Sequence, residues 1–138
     1  MRLTVIAEGR LRDPFTAVQA HYLKMIGQRL RLEVIEVRKQ ADLIRHSEAA
    51  RDLVALEPSG VEMETEGWAE WLRRLRLEAR DVVIVIGGPE GLPPAVVDRA
   101  REKISLGRQT MAHQLARVVL LEQMFRAVKI EAGEPYHL

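Results

Sequence analysis

Twelve residues, DVVIVIGGPEGL from Asp81 to Leu92, constrain this chain more than any others. Val82, Val83, Ile84, Val85 and Ile86 are all β-branched, with no alternation of apolar and polar positions. A strand of that kind is covered on both faces, which places it inside a parallel sheet flanked by helices. The run then breaks at once into Gly87, Gly88, Pro89, Glu90 and Gly91. Backbone without Cβ atoms is what a ligand can approach closely, and open α/β sheets bind ligands at the C-terminal ends of their strands. The spacing is not GxGxxG, so no dinucleotide fingerprint is present; taken alone, the loop is equally a plain turn between strand and helix.

The rest of the chain supplies the other strands and helices of such a sheet. Leu3 to Ala7 reads as a first strand, and Asp13-Pro14 as an N-cap with proline at the first position of a helix running to about Arg29. Leu30 to Val37 alternates apolar and charged residues as a second strand, followed by a polar helix from about Gln40 to Arg51. Leu53 to Leu56 is a short third strand closed by a turn at Pro58, Ser59 and Gly60. Thr65 caps a helix with Trp68, Trp71, Leu72 and Leu75 on one stripe, a spacing that marks the tryptophans as core and not as a base-stacking platform. After the strand Asp81 to Ile86, a helix is entered through Pro93 and Pro94, and a short segment from Lys103 to Met111 leads into a long helix from about His113 to Ile130. Strands alternating with helices, with no hairpin signal, predict one α/β domain over residues 1–138, with a mainly parallel sheet and helices on both faces. The last helix is apolar over more than the roughly 100° that one core contact requires. It therefore has a second apolar neighbour, either within the monomer or across a homodimer seam.

Composition narrows the chemistry. With no cysteine there is no disulfide, thiolate metal site or cysteine nucleophile, and His21, His46, His113 and His137 have no paired ligand spacing, so no metal is expected. The opening MRLTVIAEG is too short for a signal h-region, and no stretch approaches the roughly 20 apolar residues of a membrane span, so the expected location is the cytoplasm. Net charge is only +1, yet Arg99 to Ile130 holds seven basic residues against two acidic ones. This C-terminal stretch is either a surface for an anionic partner or a solvated helix face.

Ser105 to Ala127, SLGRQTMAHQLARVVLLEQMFRA, taken with the IGGPEGL loop and the closing Tyr136-His137, resembles the SPOUT methyltransferases, and more narrowly the ribosomal RNA large subunit methyltransferase H family. The resemblance runs from the first strand to the last residue. It implies an S-adenosylmethionine-dependent enzyme, an α/β fold tied in a C-terminal trefoil knot, and a homodimer with active sites near the subunit interface. Its implied reaction is methylation of N3 of a pseudouridine in 23S rRNA of the assembled ribosome. A SPOUT methyltransferase with another RNA target such as tRNA, or a non-catalytic ribosome-binding protein, are the alternatives.

The resemblance places the cofactor against Leu56, Gly87, Leu106, Gly107, Arg108, Gln109, Thr110 and Met111, and assigns the acceptor chemistry to Arg126 and His137. A cation near a carbonyl oxygen favours the deprotonated base, and a neutral imidazole accepts the proton. Arg117 precedes Arg126 by nine residues and so points to the opposite helix face. It serves a partner's site or makes a structural salt bridge, while Glu122, one turn before Arg126, is placed to hold the Arg126 guanidinium. His113 opens the long helix and is read as packed there and not as catalytic. The chain departs from the family pattern at Leu138, which replaces a basic terminal residue, at Phe125 in place of Tyr, at Ala112 in place of Pro, and at Gly107 in place of a small hydroxyl residue. It is also shorter than most relatives around Arg38 to Arg51.

Overall fold

The computed structural model describes residues 1–135, so His137 and the rest of the Tyr136-His137-Leu138 tail lie outside the described residues. Ten elements follow in order: β1 (Arg2–Glu8), α1 (Phe15–Ile26), β2 (Arg31–Val37), α2 (Gln40–Ala49), β3 (Leu53–Glu62), α3 (Thr65–Leu77), β4 (Val82–Ile86), α4 (Pro94–Arg99), β5 (Glu102–Ser105) and α5 (His113–Glu131). The five strands form one sheet in the order β2-β1-β4-β3-β5, and every pairing is parallel. The apolar run β4 lies at the centre, as its composition demands.

Successive strand residues face opposite sides, which divides the core in two. Leu3, Val5, Ala7, Val82, Ile84 and Ile86 face α1, α3 and α5, where they pack against Ile26, Trp68, Trp71, Leu72, Leu120, Leu121 and Met124. Ile6, Ala55 and Val85 face the other way, onto Leu43 of α2 and Val96 of α4. Trp68 and Trp71 are both buried and meet edge to face with centroids 5.8 Å apart, confirming them as core. Among the described residues no helix is long and apolar enough to cross a membrane.

The long helix α5 settles where most of its apolar surface goes. It packs on the sheet and against both α1 and α3, burying Leu120, Leu121, Met124, Ala127 and Val128. That accounts for one broad face within a single chain. Val118, Val119 and Phe125 are only half-buried, and Leu115 is exposed.

Several boundaries differ from the sequence expectation for local reasons. The Asp13 carboxylate accepts a hydrogen bond from the Thr16 hydroxyl instead of capping, and α1 begins at Phe15 with Pro14 in the N-cap position. Thr65 is likewise the first helical residue and not the cap; its hydroxyl meets Gln123 of α5 at 3.0 Å. The strand β3 does not end at Leu56. Leu56 and Val61 both pair with Ile104, so Glu57 to Gly60 bulge out and the strand resumes to Glu62. Gly60 is required there, because a Cβ would lie 2.6 Å from the Ile104 amide nitrogen. The segment after Arg101, expected as a connector, begins with the strand β5.

A cluster of charges ties the N-terminal ends of β3 and β5 to the end of α3. Arg80 donates to Asp52 at 2.6 and 3.0 Å and to Glu102 at 3.0 Å, while Glu102 also receives the Trp71 indole at 3.2 Å. The Arg80 hydrogen bonds hold the Asp52 carboxyl below the usual carboxylate range, outweighing the opposing effect of its burial. A carboxyl whose folded pKa is depressed contributes stability that is present above its unfolded pKa and is lost as pH falls through the folded value. Stability should therefore decline on acidification below about pH 4, and Asp52→Asn should flatten that part of the profile. Chemical denaturation at a series of pH values checks this, and parallel profiles for the two proteins would refute it.

Candidate functional site

The bulge of β3 and the C-terminal ends of β4 and β5 border a cavity of about 440 Å³. Leu56 arrives on β3, Gly87 follows β4, and Leu106, Gly107, Arg108, Gln109, Thr110 and Met111 form the loop between β5 and α5. All eight residues predicted for the cofactor thus line one cavity. Three larger grooves, of about 880, 840 and 570 Å³, lie along the β5 edge, at the N-terminal end of the sheet and between the ends of α3 and α5, and none contains any of the eight.

The wall of the cavity depends on particular backbone positions. A Cβ on Gly87 would come within 2.4 Å of the Gly91 carbonyl carbon and 2.8 Å of the Leu92 amide nitrogen, so the loop closes on itself only with glycine there. Gly107 has φ +131°, a conformation that side chains rarely adopt, and its amide donates to the Ser105 hydroxyl at 3.0 Å. Leu56, Leu92, Leu106, Met111 and Ile86 give apolar walls, while glycine backbone supplies amides and carbonyls. Apolar walls with a few fixed polar groups suit a small organic ligand, and the volume lies within the roughly 300–1,000 Å³ usual for such sites. Among the described residues no group of three or more His, Asp or Glu is placed to hold a metal ion.

Glu8 and Gln114, which the sequence reading did not single out, and His113, which it read as packed at the start of α5, complete the edge. The Glu8 carboxylate at the end of β1 lies against Gly88, with its Oε1 buried and unbonded among the described residues. His113 borders the cavity at the first turn of α5, half-buried, and faces Gly9. Gln114 accepts the Arg12 amide at 2.8 Å, fixing the β1–α1 loop to the start of α5. Only the fold brings these together, since they are more than a hundred residues apart in sequence.

The two arginines of α5 part company. Arg117 is buried, pairs with Glu36 of β2, and donates to the Gly9 carbonyl at 2.9 Å, so it is the structural salt bridge. Glu36 also accepts the Leu11 amide at 3.0 Å. Breaking a buried pair by removing one partner costs about 3–5 kcal/mol, and the partial exposure of Glu36 puts Arg117→Met at the lower end. At roughly 3–5 °C per kcal/mol for a domain of this size, its melting temperature should fall by about 10 °C. A calorimetric scan within 2 °C of wild type would contradict this.

Arg126 does not line the cavity. It pairs with Glu122 at 2.6 Å, as expected, with both side chains about a quarter exposed at 23% and 26%. Thirteen residues separate it from His113, which at 1.5 Å rise per residue puts it about 20 Å further along α5. Within one chain, Arg126 and the cavity are far apart.

Over residues 1–137 the chain matches the family described as Predicted SPOUT methyltransferase. The chain belongs to the SPOUT methyltransferases. It is 43% identical over 152 aligned positions to the ribosomal RNA large subunit methyltransferase H of Anaeromyxobacter sp. (strain Fw109-5), covering 99% of each chain. A ribosomal RNA large subunit methyltransferase H of Gemmatimonas aurantiaca is 43% identical over 121 positions, covering 77% of this chain and 79% of its own. Among solved structures, TrmJ from Z. mobilis superposes with a TM-score of 0.57 at 13% identity, over 100% of this chain and 73% of that one. The methyltransferase Lpg2936 from Legionella pneumophila, described with bound cofactor SAM, gives 0.51 at 11% identity over 90% of this chain and 65% of its own. These superpositions agree with the all-parallel sheet and its flanking helices as a SPOUT architecture.

Proposed function

We propose that this chain is an S-adenosylmethionine-dependent methyltransferase acting on N3 of a pseudouridine in 23S rRNA of the assembled ribosome, working in the cytoplasm as a homodimer. Residues 1–138 then form one SPOUT domain, with the trefoil knot expected of the family. The observation that carries this reading is the convergence of Leu56, Gly87 and Leu106 to Met111 on one cavity at the C-terminal edge of the sheet. Full-length similarity to relatives named as ribosomal RNA large subunit methyltransferase H supports the RNA class.

The cofactor, held by those loops, supplies a methyl group on a sulfonium, an activated carbon needing chiefly an aligned nucleophile. Alignment of two reactants can contribute several kcal/mol to the rate, and the rigid glycine loop meets that need. The acceptor nitrogen lies between two carbonyl groups and carries a proton. Arg126 stabilises the negative charge that develops on a carbonyl oxygen as the proton leaves, and His137 accepts the proton. Glu122 keeps the Arg126 guanidinium oriented through its 2.6 Å hydrogen bond. Because Arg126 lies about 15 Å along the helix from Ala116, the nearest α5 residue lining its own cavity, it serves the cavity of the other subunit.

Labelled cofactor incubated with unmodified ribosomes, free large subunits and bulk tRNA, with mass spectrometry of the product, tests the reading. Label on N3 of a 23S pseudouridine is the expected result, and label on tRNA alone or on no RNA would overturn it.

A further inference from the structure

The basic residues of the C-terminal third are largely consumed inside the fold. Arg99 donates to the Ala50 carbonyl at 2.9 Å, Arg101 pairs with Asp52 at 3.4 Å, Arg117 with Glu36, Arg126 with Glu122, and Lys129 with Glu134. Lys103 and Arg108 of that stretch stay exposed without a side-chain partner among the described residues, and a second set of cations stands clear on the far side of the glycine loop. Arg10 and Arg12 follow β1, and Arg38 and Lys39 follow β2; all four are exposed, and none has a side-chain partner among the described residues.

These four share one edge of the molecule with the cavity. Since the sheet is parallel, the loops after all its strands emerge on the same side, and β1 is the neighbour of β4, with β2 beyond it. Strands are about 4.8 Å apart, so the cations form a strip leading roughly 5 to 10 Å sideways from the glycine loop. The backbone under Arg10 and Arg12 is rigid, held by Arg117 at the Gly9 carbonyl, by Glu36 at the Leu11 amide and by Gln114 at the Arg12 amide. Acidic groups on this stretch do not neutralise the strip. Glu36 is paired with Arg117 and Asp42 with Arg45 at 2.6 Å, Glu8 is turned in against Gly88, and of these groups only Asp13 is an exposed carboxylate without a cation partner among the described residues, so the four cations stay in excess.

We infer that Arg10, Arg12, Arg38 and Lys39 form the surface that receives the phosphate backbone of the RNA next to the acceptor nucleotide. The inference rests on the reading of the partner as RNA and adds where that RNA lies. Phosphates are polyanions that exposed guanidinium and ammonium groups bind without base readout, so the strip fixes position while the cavity selects the nucleotide. It leads from the cavity toward the β2 edge, setting the direction in which the strand leaves the site.

The test is binding of large ribosomal subunits and of tRNA by wild type, Arg10→Ala/Arg12→Ala and Arg38→Ala/Lys39→Ala across a salt series. Arg2→Ala/Arg31→Ala, which removes two exposed cations from the opposite end of β1 and β2, is the charge-matched control. Each strip double variant is expected to bind RNA about tenfold more weakly near 0.1 M salt and to lower the slope of log K against log salt by about 1.5, while cofactor binding is kept. Strip variants that match the control in affinity and slope on every RNA bound by wild type would overturn the inference, as would failure of wild type to bind RNA. The site of methylation is read separately by mass spectrometry, so a wrong acceptor nucleotide leaves this result standing.

Discussion

Replacing Arg126 by Ala is expected to slow methyl transfer to ribosomes by on the order of 10²–10³-fold, the usual consequence of removing one group that stabilises a developing oxyanion. Cofactor affinity should stay near wild type, because Arg126 lies about 15 Å along α5 from the nearest residue lining the cavity. Mixing separates action within a subunit from action across the dimer. At a cofactor concentration that just saturates wild type, Arg126→Ala and Gly87→Ala are each expected to be impaired about 100-fold or more, the first for want of the cation and the second for want of bound cofactor. In a mixed dimer the intact cavity of one subunit meets the intact Arg126 of the other. Random exchange gives half mixed dimers with one working site each, so activity should recover to about a quarter of wild type. No recovery on mixing would place Arg126 in its own subunit's site, and undiminished transfer by Arg126→Ala would remove it from the chemistry.

Gly87→Ala should weaken S-adenosylmethionine binding by at least 100-fold, roughly 2.8 kcal/mol at about 1.4 kcal/mol per tenfold. The atoms that the new methyl would meet are the Gly91 carbonyl group and the Leu92 amide nitrogen, at 2.4 to 2.8 Å. They belong to the backbone that shapes the cavity and cannot rotate aside. Gly88→Ala is the informative contrast: its methyl meets the Glu8 carboxylate oxygen at 2.4 Å, the free end of a flexible side chain. Swinging that carboxylate away should cost less than tenfold in affinity. Isothermal titration of both variants decides the matter, and equal affinities would show that the close approach at Gly87 has no special role.

Much of this architecture was legible in the sequence where a pattern was long or chemically specific. The unbroken β-branched run predicted the central strand, and the tryptophan stripe predicted the buried face of α3. Short or interrupted elements were not legible. The strand β5 has four residues, too few for a period to show, and it exists because β3 offers it a parallel neighbour. Pro58-Ser59-Gly60 has the composition of a turn and does bulge, yet the ladder resumes beyond it through tertiary pairing that no local signal records. Asp13 and Thr65 have capping chemistry, but each hydroxyl or carboxylate found another partner. The loops of the cavity were found through the family resemblance and the glycines. The separation of Arg126 from that cavity follows from helix rise, and the burial of Arg117 from Glu36, a partner 81 residues away. Charge counting along the chain did not show which cations are solvated, because composition does not distinguish a paired arginine such as Arg117 from an exposed one such as Arg108.

The two outermost strands carry one more consequence. The strand β2 carries exposed Arg31 and Glu33 on one face and Glu36 on the other, and β5 is four residues long with Glu102 and Lys103 in it. Charged or very short borders resist the strand-to-strand stacking by which open sheets aggregate. Two copies of this chain are thereby discouraged from fusing their sheets into one continuous ten-stranded layer. The incompletely covered apolar side chains Leu115, Val118, Val119 and Phe125 lie instead on the helical side, so α5 carries its spare apolar surface on a helix and not on a strand border.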